Sequence, residues 1–222
     1  MKKILLVEDR TQRQKLFMED TKIELNRYNN ILDNFIDEKY DEFVVKIQDD
    51  NFELDNYDVI ISHKSAFKDS NESILSKLEN HCKENSKVLV LFSGGIDANY
   101  YLKDGDFELI ELNSKTFYSE FLKLFLEDVE NGTLHPLILC YGTKWKLNIV
   151  LNILEKLNIY VDNLTKDNVL YNAFFRDNPD IDFLEILEFH LFDKNERRIK
   201  KEYIVKLRDS LKVYIKESLE DG

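Results

Sequence analysis

Short apolar runs alternate along this chain with longer segments in which apolar residues recur at helical spacing. That alternation is typical of βα units, which build a parallel sheet covered by helices. The pattern predicts five strands, at Ile4–Val7, Phe43–Ile47, Val59–Ser62, Val88–Phe92 and Leu109–Leu112. We therefore expect an α/β fold with a five-stranded parallel sheet in the first part of the chain.

Three segments have the spacing of amphipathic helices. They are Thr11–Arg27, Ser70–Lys83 and Phe117–Val129. In the last of them, Phe117, Phe121 and Phe125 are spaced four residues apart and so fall on one face of a helix.

A change of character near residue 130 predicts a domain boundary. Asn131-Gly132 interrupts the last helical pattern, and Pro136 keeps His135 extended. We expect one domain over residues 1–130 and a mainly helical extension over residues 131–222. Within the extension, the pattern predicts a sixth strand at Leu137–Cys140, a helix at Trp145–Leu157 and further helix interrupted at Asn178-Pro179.

The distribution of charge narrows the classes of partner. The 222 residues carry a net charge of −12, and residues 1–130 hold 17 Lys and Arg against 28 Asp and Glu, a net of −11. Proteins that bind nucleic acid or acidic membranes present clustered Lys and Arg, whereas this chain is acidic overall. We expect a protein partner and neither nucleic acid nor membrane, with a homodimer as an open alternative.

The sequence shows neither an export signal nor a membrane span. MKKILLVEDR contains four consecutive apolar residues, fewer than the roughly 7–15 of a signal sequence. No run approaches the roughly 20 apolar residues of a membrane helix. Cys82 and Cys140 lie beside apolar segments without CxxC spacing, which indicates reduced thiols rather than a zinc or redox pair. These features predict a cytoplasmic protein.

Polar residues follow the predicted strands, where ligands bind in open α/β sheets. ILLVEDR places Glu8 and Asp9 after the first strand, YDVIISH ends the third in His63, Ser93 ends the fourth, and Ser114-Lys115-Thr116-Phe117 follows the fifth. These segments resemble response-regulator receiver domains, which have ILLVEDD, YDLIILD and KPF motifs and a Thr or Ser after the fourth strand. The resemblance covers about residues 1–130 and implies a flavodoxin-like fold.

The resemblance also implies a role for each matched position. In receivers the two acids bind Mg²⁺, an aspartate after the third strand takes a phosphoryl group, and the hydroxyl and lysine contact that group. Glu8, Asp9, Ser93 and Lys115 match this pattern, whereas His63 replaces the aspartate. A histidine supplies neither the carboxylate nucleophile nor a hard oxygen ligand, so an aspartyl phosphate cannot form.

These matches predict a degenerate phosphorylation site. We expect Glu8 and Asp9 to bind Mg²⁺ weakly, if at all, and His63 to pair with one of the two acids. We expect Lys115 to form a salt bridge to the same acids. Phosphorylation of His63 itself is the alternative.

The segment SGGID, which follows the fourth predicted strand, permits a second interpretation. It resembles the SGGxDS loop of ATP pyrophosphatases, in which glycine amides and a following helix bind phosphate. The alternative phosphate loop would comprise Ser93, Gly94, Gly95 and Asp97. That family places the loop after the first strand of its nucleotide domain and ends it in serine, whereas here Ala98 takes that position. Residues 99–106 leave room for only a short helix.

The extension contains one basic tract and three weaker candidates. The tract KNERRIKKEYIVK, at Lys194–Lys206, holds six basic residues against two acidic ones. Its possible partner patch is Lys194, Arg197, Arg198, Lys200 and Lys201. We predict that it contacts protein rather than DNA. His135 and Gly142-Thr143-Lys144 read as turn residues, and His190 in EILEFHLF reads as a core residue.

We therefore expect a pseudo-receiver that acts as a regulatory or protein-interaction module in bacterial-type signalling, independently of phosphorylation. It would be neither an enzyme nor dependent on a cofactor. Two other functions stay open: a pyrophosphatase-like enzyme that binds ATP at SGGID, and a nucleic-acid-binding regulator that uses the basic tract.

Overall fold

The computed structural model of the protein describes residues 3–67, 72–97, 99–148, 150–151, 154, 206, 208–213 and 215–216. Its strands are β1 (Ile4–Val7), β2 (Leu32–Phe35), β3 (Val59–His63), β4 (Val88–Ser93), β5 (Tyr100–Asp104) and β6 (Phe107–Asn113). Its α-helices are α1 (Thr11–Thr21), α2 (Glu38–Gln48), α3 (Glu72–Glu84), α4 (Ser114–Phe117), α5 (Glu120–Glu130) and α6 (Ile138–Tyr141). The fold class is α/β, as predicted.

The strands form one mostly parallel sheet in the order β2-β1-β3-β4-β6-β5. Every neighbouring pair is parallel except β5 and β6, which are antiparallel. The five parallel strands follow the order that flavodoxin-like folds have, with which the sheet is compatible. The prediction of five strands was wrong, because β5 adds a sixth strand at one edge.

The three central strands were predicted because each contains a continuous apolar run, which is ILLV in β1, VII in β3 and VLVLF in β4. All residues of β1 and β3 are buried, as are the first five of β4. Such runs are typical of parallel strands that are covered on both faces. The predicted strand Leu109–Leu112 also lies within β6.

The predicted strand Phe43–Ile47 was wrong, since this segment lies inside helix α2. Phe43 and Ile47 are buried while Val45 and Lys46 are exposed, which is the spacing of one helical face rather than alternation along a strand. The strand that pairs with β1 is instead β2, whose sequence LDNF contains two polar residues and buries Leu32.

The predicted sixth strand at Leu137–Cys140 was also wrong. Residues Ile138–Tyr141 form the short helix α6, in which the Cys140 amide donates to the Leu137 carbonyl and the Tyr141 amide to the same group. All residues from 136 to 140 are buried. A continuous apolar run that is buried on all sides has no period from which strand and helix can be told apart.

The helix predicted over Thr11–Arg27 ends earlier. Helix α1 stops at Thr21, because Lys22 adopts the left-handed conformation with φ of 52° and donates its amide to Met18. A separate 3-10 turn follows at Leu25–Tyr28. The other two predicted helices are found as α3 and as the consecutive helices α4 and α5.

Helices α2 and α3 cover one face of the sheet. The cluster on this face joins Leu5 and Val7 of β1 and Ile60 of β3 to Phe43 and Ile47 of α2 and to Ile74, Leu78 and Cys82 of α3. Cys82 is therefore a buried core thiol without a disulfide partner, as predicted, and so is Cys140.

The opposite face is covered by aromatic side chains from α1 and from the segment around α4. Phe92 of β4 stacks on Phe117 with ring centroids 4.2 Å apart. Tyr118 meets the edge of Phe92 and stacks on Phe17 of α1. Tyr118 is thus fixed beneath the end of the sheet where the strands β1 and β4 finish.

Parallel neighbouring strands usually have a helix between them. Between β4 and β6 the chain instead forms strand β5, which pairs with β6 as a β-hairpin. Residues 99–106, for which the sequence allowed a short helix, form β5 and its turn instead. Asp104 pairs with Phe107, and Gly105 adopts φ of 59° in the two-residue turn between them. The edge of the sheet beside β6 is therefore formed by strand β5.

The chain divides into two compact units, Met1–Thr143 and Lys144–Gly222. Helix α6 belongs to the first unit, and residues 145–148 of the second are helical, as predicted for Trp145–Leu157. The predicted helical region beyond residue 157 falls almost entirely outside the described residues. Among the helices that the structure describes, none is long and apolar enough to cross a membrane.

Candidate functional site

Three of the predicted site residues meet at the carboxyl ends of two neighbouring strands. Val7 of β1 pairs with Ser62 of β3, so the residues that follow, Glu8 and His63, are brought side by side. One ligand atom from each of Glu8, Asp9 and His63 lies within 4.8 Å of the others. We call this group the carboxylate–histidine cluster. The three residues are close because the carboxyl ends of neighbouring parallel strands meet at one edge of the sheet.

Glu8 is fully buried and bonded on both of its carboxyl oxygens. Oε1 accepts a hydrogen bond from the Arg13 guanidinium at 3.1 Å and another from the Arg10 amide at 3.3 Å. Oε2 accepts from the Tyr118 hydroxyl at 3.2 Å. Glu8 therefore connects the end of β1 both to helix α1 and to the segment that leads into α5.

Arg13 bridges the two carboxyl groups of the cluster. Its Nη1 atom lies 3.1 Å from Oε1 of Glu8 and 3.3 Å from Oδ1 of Asp9. Asp9 and Arg13 are four residues apart, so the first turn of α1 brings the guanidinium back over the end of β1. The Arg13 side chain is 17% exposed and the Asp9 side chain 15%, which places the opening of the site at these two residues.

The cation that we predicted for this position was Lys115, and the structure has Arg13 there instead. Among the described residues, the basic groups within 4.0 Å of Glu8 or Asp9 are Arg10, Arg13 and His63. Lys115 is exposed, and its backbone amide donates to the side chain of Asn113. Position after the last strand was therefore not enough to direct a lysine into the site.

The two carboxyl groups of the cluster differ in protonation. Burial raises the pKa of Glu8 to about 8, with a contribution from its hydrogen bond to Asp9, and the attraction of Arg13 does not overcome these effects. Burial acts in the same direction on Asp9, but the hydrogen bond from Glu8 and the charge of Arg13 outweigh it and lower the pKa of Asp9. At neutral pH Glu8 thus holds a proton, and Asp9 carries the negative charge that Arg13 balances.

His63 is buried and its ring is held on two sides. Nδ1 accepts a hydrogen bond from the Ser65 amide at 3.2 Å and lies 2.9 Å from the Ser65 hydroxyl. The ring meets Phe92 edge to face, with centroids 5.1 Å apart. The predicted pairing with an acid is a proximity only, because Nδ1 is 4.0 Å from Oδ1 of Asp9, beyond hydrogen-bond distance.

Ser93 and the SGGID segment lie at the same end of the sheet but form a closed loop of their own. The Ser93 hydroxyl accepts from the Gly95 amide at 3.4 Å, and the Ser93 carbonyl accepts from Ile96. Asn113 donates from its side-chain amide to the carbonyls of Gly94 and Ile96. Gly95 and Ile96 thus use their amides within the loop, and β5 rather than a helix follows it.

The cluster does not fit the Mg²⁺ ion that the receiver resemblance implies. Mg²⁺ prefers octahedral coordination by oxygen ligands. The guanidinium of Arg13 already contacts both carboxyl groups, and His63 presents nitrogen where an oxygen ligand is needed. The acceptor position likewise lacks the carboxylate that an aspartyl phosphate requires.

Sequence reasoning missed two residues of the site. Arg13 carried a readable signal, since a basic residue four positions after Asp9 in a predicted helix is placed to pair with it. Tyr118 carried none, because its contact with Glu8 spans 110 residues of chain and depends on the packing of α4. Both residues are needed to explain why the buried acid is tolerated.

The weaker candidates have structural roles where the structure describes them. His135 donates its amide to Asp128 at 2.9 Å, in the turn after α5. Gly142 follows α6 with φ of 71°, as a turn residue. His190 and the partner patch from Lys194 to Lys201 lie outside the described residues.

Comparison with protein-family models, with curated proteins and with solved structures finds no match to this chain.

Proposed function

We propose that the domain is a receiver-like regulatory or protein-interaction module that works without phosphorylation and without Mg²⁺. The observation that carries this proposal is the bridge from Arg13 to Glu8 and Asp9. A tethered guanidinium there supplies the positive charge that a metal ion provides in a receiver. The site is then electrically balanced within the chain and needs no ion or phosphoryl group to hold one conformation.

The surroundings of His63 support the same proposal. A nucleophilic nitrogen needs an exposed lone pair, whereas Nδ1 of His63 is engaged by Ser65 and the side chain is 5% exposed. A phosphoryl group would also have to approach Asp9, which is ionised. Like-charge repulsion in a buried site opposes that approach.

A protein partner fits this module better than a nucleic acid does. Residues 1–130 carry a net charge of −11. This charge repels phosphate backbones and favours a partner with a basic surface. The hairpin β5–β6 forms one edge of the sheet, in place of a helix between β4 and β6.

Incubation of the full chain with acetyl phosphate and Mg²⁺, followed by intact-mass spectrometry, tests the proposal. A phosphorylatable receiver in the same buffer is the positive control. We expect no mass increase in the wild type or in Arg13→Ser, since removing the bridge does not supply an acceptor. A stable added phosphate that is lost in His63→Ala would refute the proposal.

The same preparation tests the alternative of an ATP-using enzyme. The closed hydrogen bonding of SGGID leads us to expect no tight binding of ATP with Mg²⁺ in calorimetry and no release of pyrophosphate. A Cβ atom added at Gly94 or Gly95 meets no other atom within 4 Å, so replacing both by alanine adds bulk to the loop without forcing a clash. Tight ATP binding abolished in that variant would favour the enzyme.

A further inference from the structure

A cavity of about 550 Å³ opens at the end of the domain where helices α2 and α3 finish, away from the carboxylate–histidine cluster. This volume falls within the roughly 300–1,000 Å³ that is typical of small-ligand sites. Part of the lining is apolar and part is acidic. The apolar residues are Ile47, Phe52 and Leu54, and the acids are Asp50, Glu53 and Asp55.

The nitrogen donors of the lining are largely used within the protein. Nζ of Lys77 donates to the Ile47 carbonyl at 2.7 Å and to the Asp50 carboxylate. The side-chain amide of Asn85 donates to the His81 carbonyl at 2.9 Å. A ligand that needs donors from the protein, such as a phosphate or a carboxylate, therefore finds few of them in this cavity.

The carboxylate oxygens of the lining, in contrast, are mostly left without hydrogen bonds. Glu53 accepts one through Oε2, from the Asn56 side chain at 3.0 Å. Among the described residues, none donates to the Asp55 carboxylate, whose Oδ1 atom lies 4.0 Å from Nζ of Lys87, beyond hydrogen-bond distance. Because an ionised carboxylate accepts about four hydrogen bonds, the lining has acceptors available for a ligand.

His81, which also lines the cavity, adds no positive charge that would oppose a cation. Burial and the charge of Lys87 lower its pKa, so the imidazole is neutral at neutral pH. Its Nε2 atom is buried, lies 3.7 Å from Oδ1 of Asp55 and has no hydrogen-bond partner in the part of the chain that the structure describes. The lining thus holds three carboxylates against the single ammonium group of Lys77. That excess of negative charge suits a cationic ligand rich in N–H groups.

We propose that this cavity binds an arginine side chain of a protein partner. A guanidinium has five N–H donors and no acceptor, and its planar fork matches carboxylates better than an ammonium does. Its aliphatic stem can lie against Phe52 and Leu54. The inference rests on the proposed function and deepens it, because it names the chemical group by which the module recognises a basic partner. The net charge of −11 in residues 1–130 favours the approach of such a partner.

Titration of the full chain with the peptide acetyl-Gly-Arg-Gly-amide, followed by amide chemical shifts in nuclear magnetic resonance spectra, tests the proposal. The wild type should bind this peptide with a Kd of about 1 mM or lower. The largest shift changes should occur at the amides of Phe52, Leu54 and His81, which line the cavity. The same peptide with citrulline in place of arginine has nearly the same shape but no charge. It should bind at least about tenfold more weakly, because it loses the charge-assisted hydrogen bonds.

Two double variants separate the cavity from the general acidity of the domain. Asp50→Asn with Glu53→Gln removes two charges of the lining with little change of shape, and should weaken binding of the arginine peptide at least about tenfold. Glu38→Gln with Glu42→Gln is the matched control, because it removes two exposed charges of α2 that lie outside the lining. At about 0.15 M salt, where distant charges are screened, this control should bind the peptide like the wild type.

Three outcomes would overturn the proposal. They are equal affinity for the arginine and citrulline peptides, equal weakening by the two double variants, and tighter binding of free agmatine than of the peptide, which would assign the cavity to a small guanidine. The mass-spectrometric test with acetyl phosphate is independent. Phosphorylation would overturn the proposed function alone, and failure to select the arginine peptide would overturn this inference alone.

Discussion

At the scale of single residues, the protonated Glu8 makes the stability of the domain depend on pH. Its folded-state pKa of about 8 lies above the ordinary value of 4.5. Between these values the folded chain binds a proton that the unfolded chain has released, so the free energy of unfolding falls as pH rises. The pKa of Asp9 is lowered from its ordinary value of 3.8, so Asp9 changes the free energy of unfolding at lower pH, outside this interval.

We predict that Glu8→Gln removes most of this dependence, because the amide imitates the neutral acid at all pH values. The slope due to Glu8 in the wild type is at most about 1.4 kcal/mol per pH unit. Urea unfolding from pH 5 to pH 8 measures it. Glu111→Gln, which alters a half-buried partner of Lys64, is the control and should leave the slope unchanged. Equal slopes in the wild type and Glu8→Gln would contradict the assigned proton.

Gly142 is a residue whose backbone and surroundings both require glycine. Its φ of 71° and ψ of −169° lie in a region that other residues rarely adopt, and an added Cβ would lie 2.9 Å from the Phe121 ring. We predict that Gly142→Ala destabilises the domain by about 2–4 kcal/mol, from strain and overpacking together.

Urea unfolding of variants at two other glycines separates the cost of backbone strain from the cost of overpacking against Phe121. Gly105→Ala should cost about 1 kcal/mol, since Gly105 has φ of 59° but open space around it. Gly95→Ala, with open space and no positive φ, should stay within about 0.5 kcal/mol. If all three substitutions cost the same, the contact with Phe121 has no energetic consequence.

At the scale of elements, Asp128 near the end of helix α5 stabilises the turn that follows the helix. Its carboxylate accepts from the Thr133 hydroxyl at 2.6 Å, from the His135 amide at 2.9 Å and lies 3.1 Å from Nδ1 of His135. Partial burial opposes ionisation, yet the hydrogen bonds from Thr133 and His135 outweigh it and lower the pKa of Asp128.

We predict that Asp128→Ala destabilises the domain by about 1–3 kcal/mol near neutral pH. Because the folded-state pKa is lowered, the contribution of the charge is present above pH 3.8 and is lost as pH falls through the folded-state pKa. Glu127→Ala is the matched control, since its pair with Lys123 lies at the surface and should contribute less than about 1 kcal/mol. Equal losses in thermal melts of the two variants would contradict the role of Asp128.

Elements were predictable where burial imposed a uniform pattern. Strand β1 is apolar throughout, and β3 and β4 begin with the apolar runs VII and VLVLF. Strand β2, in contrast, has the sequence LDNF and is stabilised as an edge strand by pairing with β1. Helix α2 was mistaken for a strand because FVVKI is rich in β-branched residues. Its spacing of Tyr40, Phe43 and Ile47 was the helical signal, and the packing against α3 decided the outcome.

The site was predictable to the extent that it depends on strand order. Glu8, Asp9 and His63 are adjacent because β1 and β3 are neighbours, which the order of the strands implies. Ser93 lies at the end of the next strand but bonds within its own loop, and Lys115 points to solvent. Side-chain direction after a strand depends on the loop, and residue types alone did not determine it.

At the scale of the whole molecule, the uneven charge limits what the basic tract Lys194–Lys206 can bind. A DNA duplex that approaches the tract also meets the field of a chain with net charge −12, most of it in residues 1–130. Binding to DNA gains affinity by releasing counterions from phosphates, and an acidic chain reduces that gain. Carboxylates on a protein partner suit the same six basic residues.

We therefore predict no tight DNA binding by the full chain, even at low salt. Fluorescence anisotropy with labelled duplexes should give weak signals that are alike for the wild type and for the double variant Arg197→Glu, Arg198→Glu. The control pair Lys15→Glu, Lys39→Glu reverses two exposed lysines in α1 and α2, and changes the net charge by the same amount without touching the tract. Tight binding that falls steeply with salt and is lost only in the arginine variant would contradict the prediction. That result would mean that Arg197 and Arg198 contact phosphates, because replacing such residues removes both their charge and the counterion release that it causes.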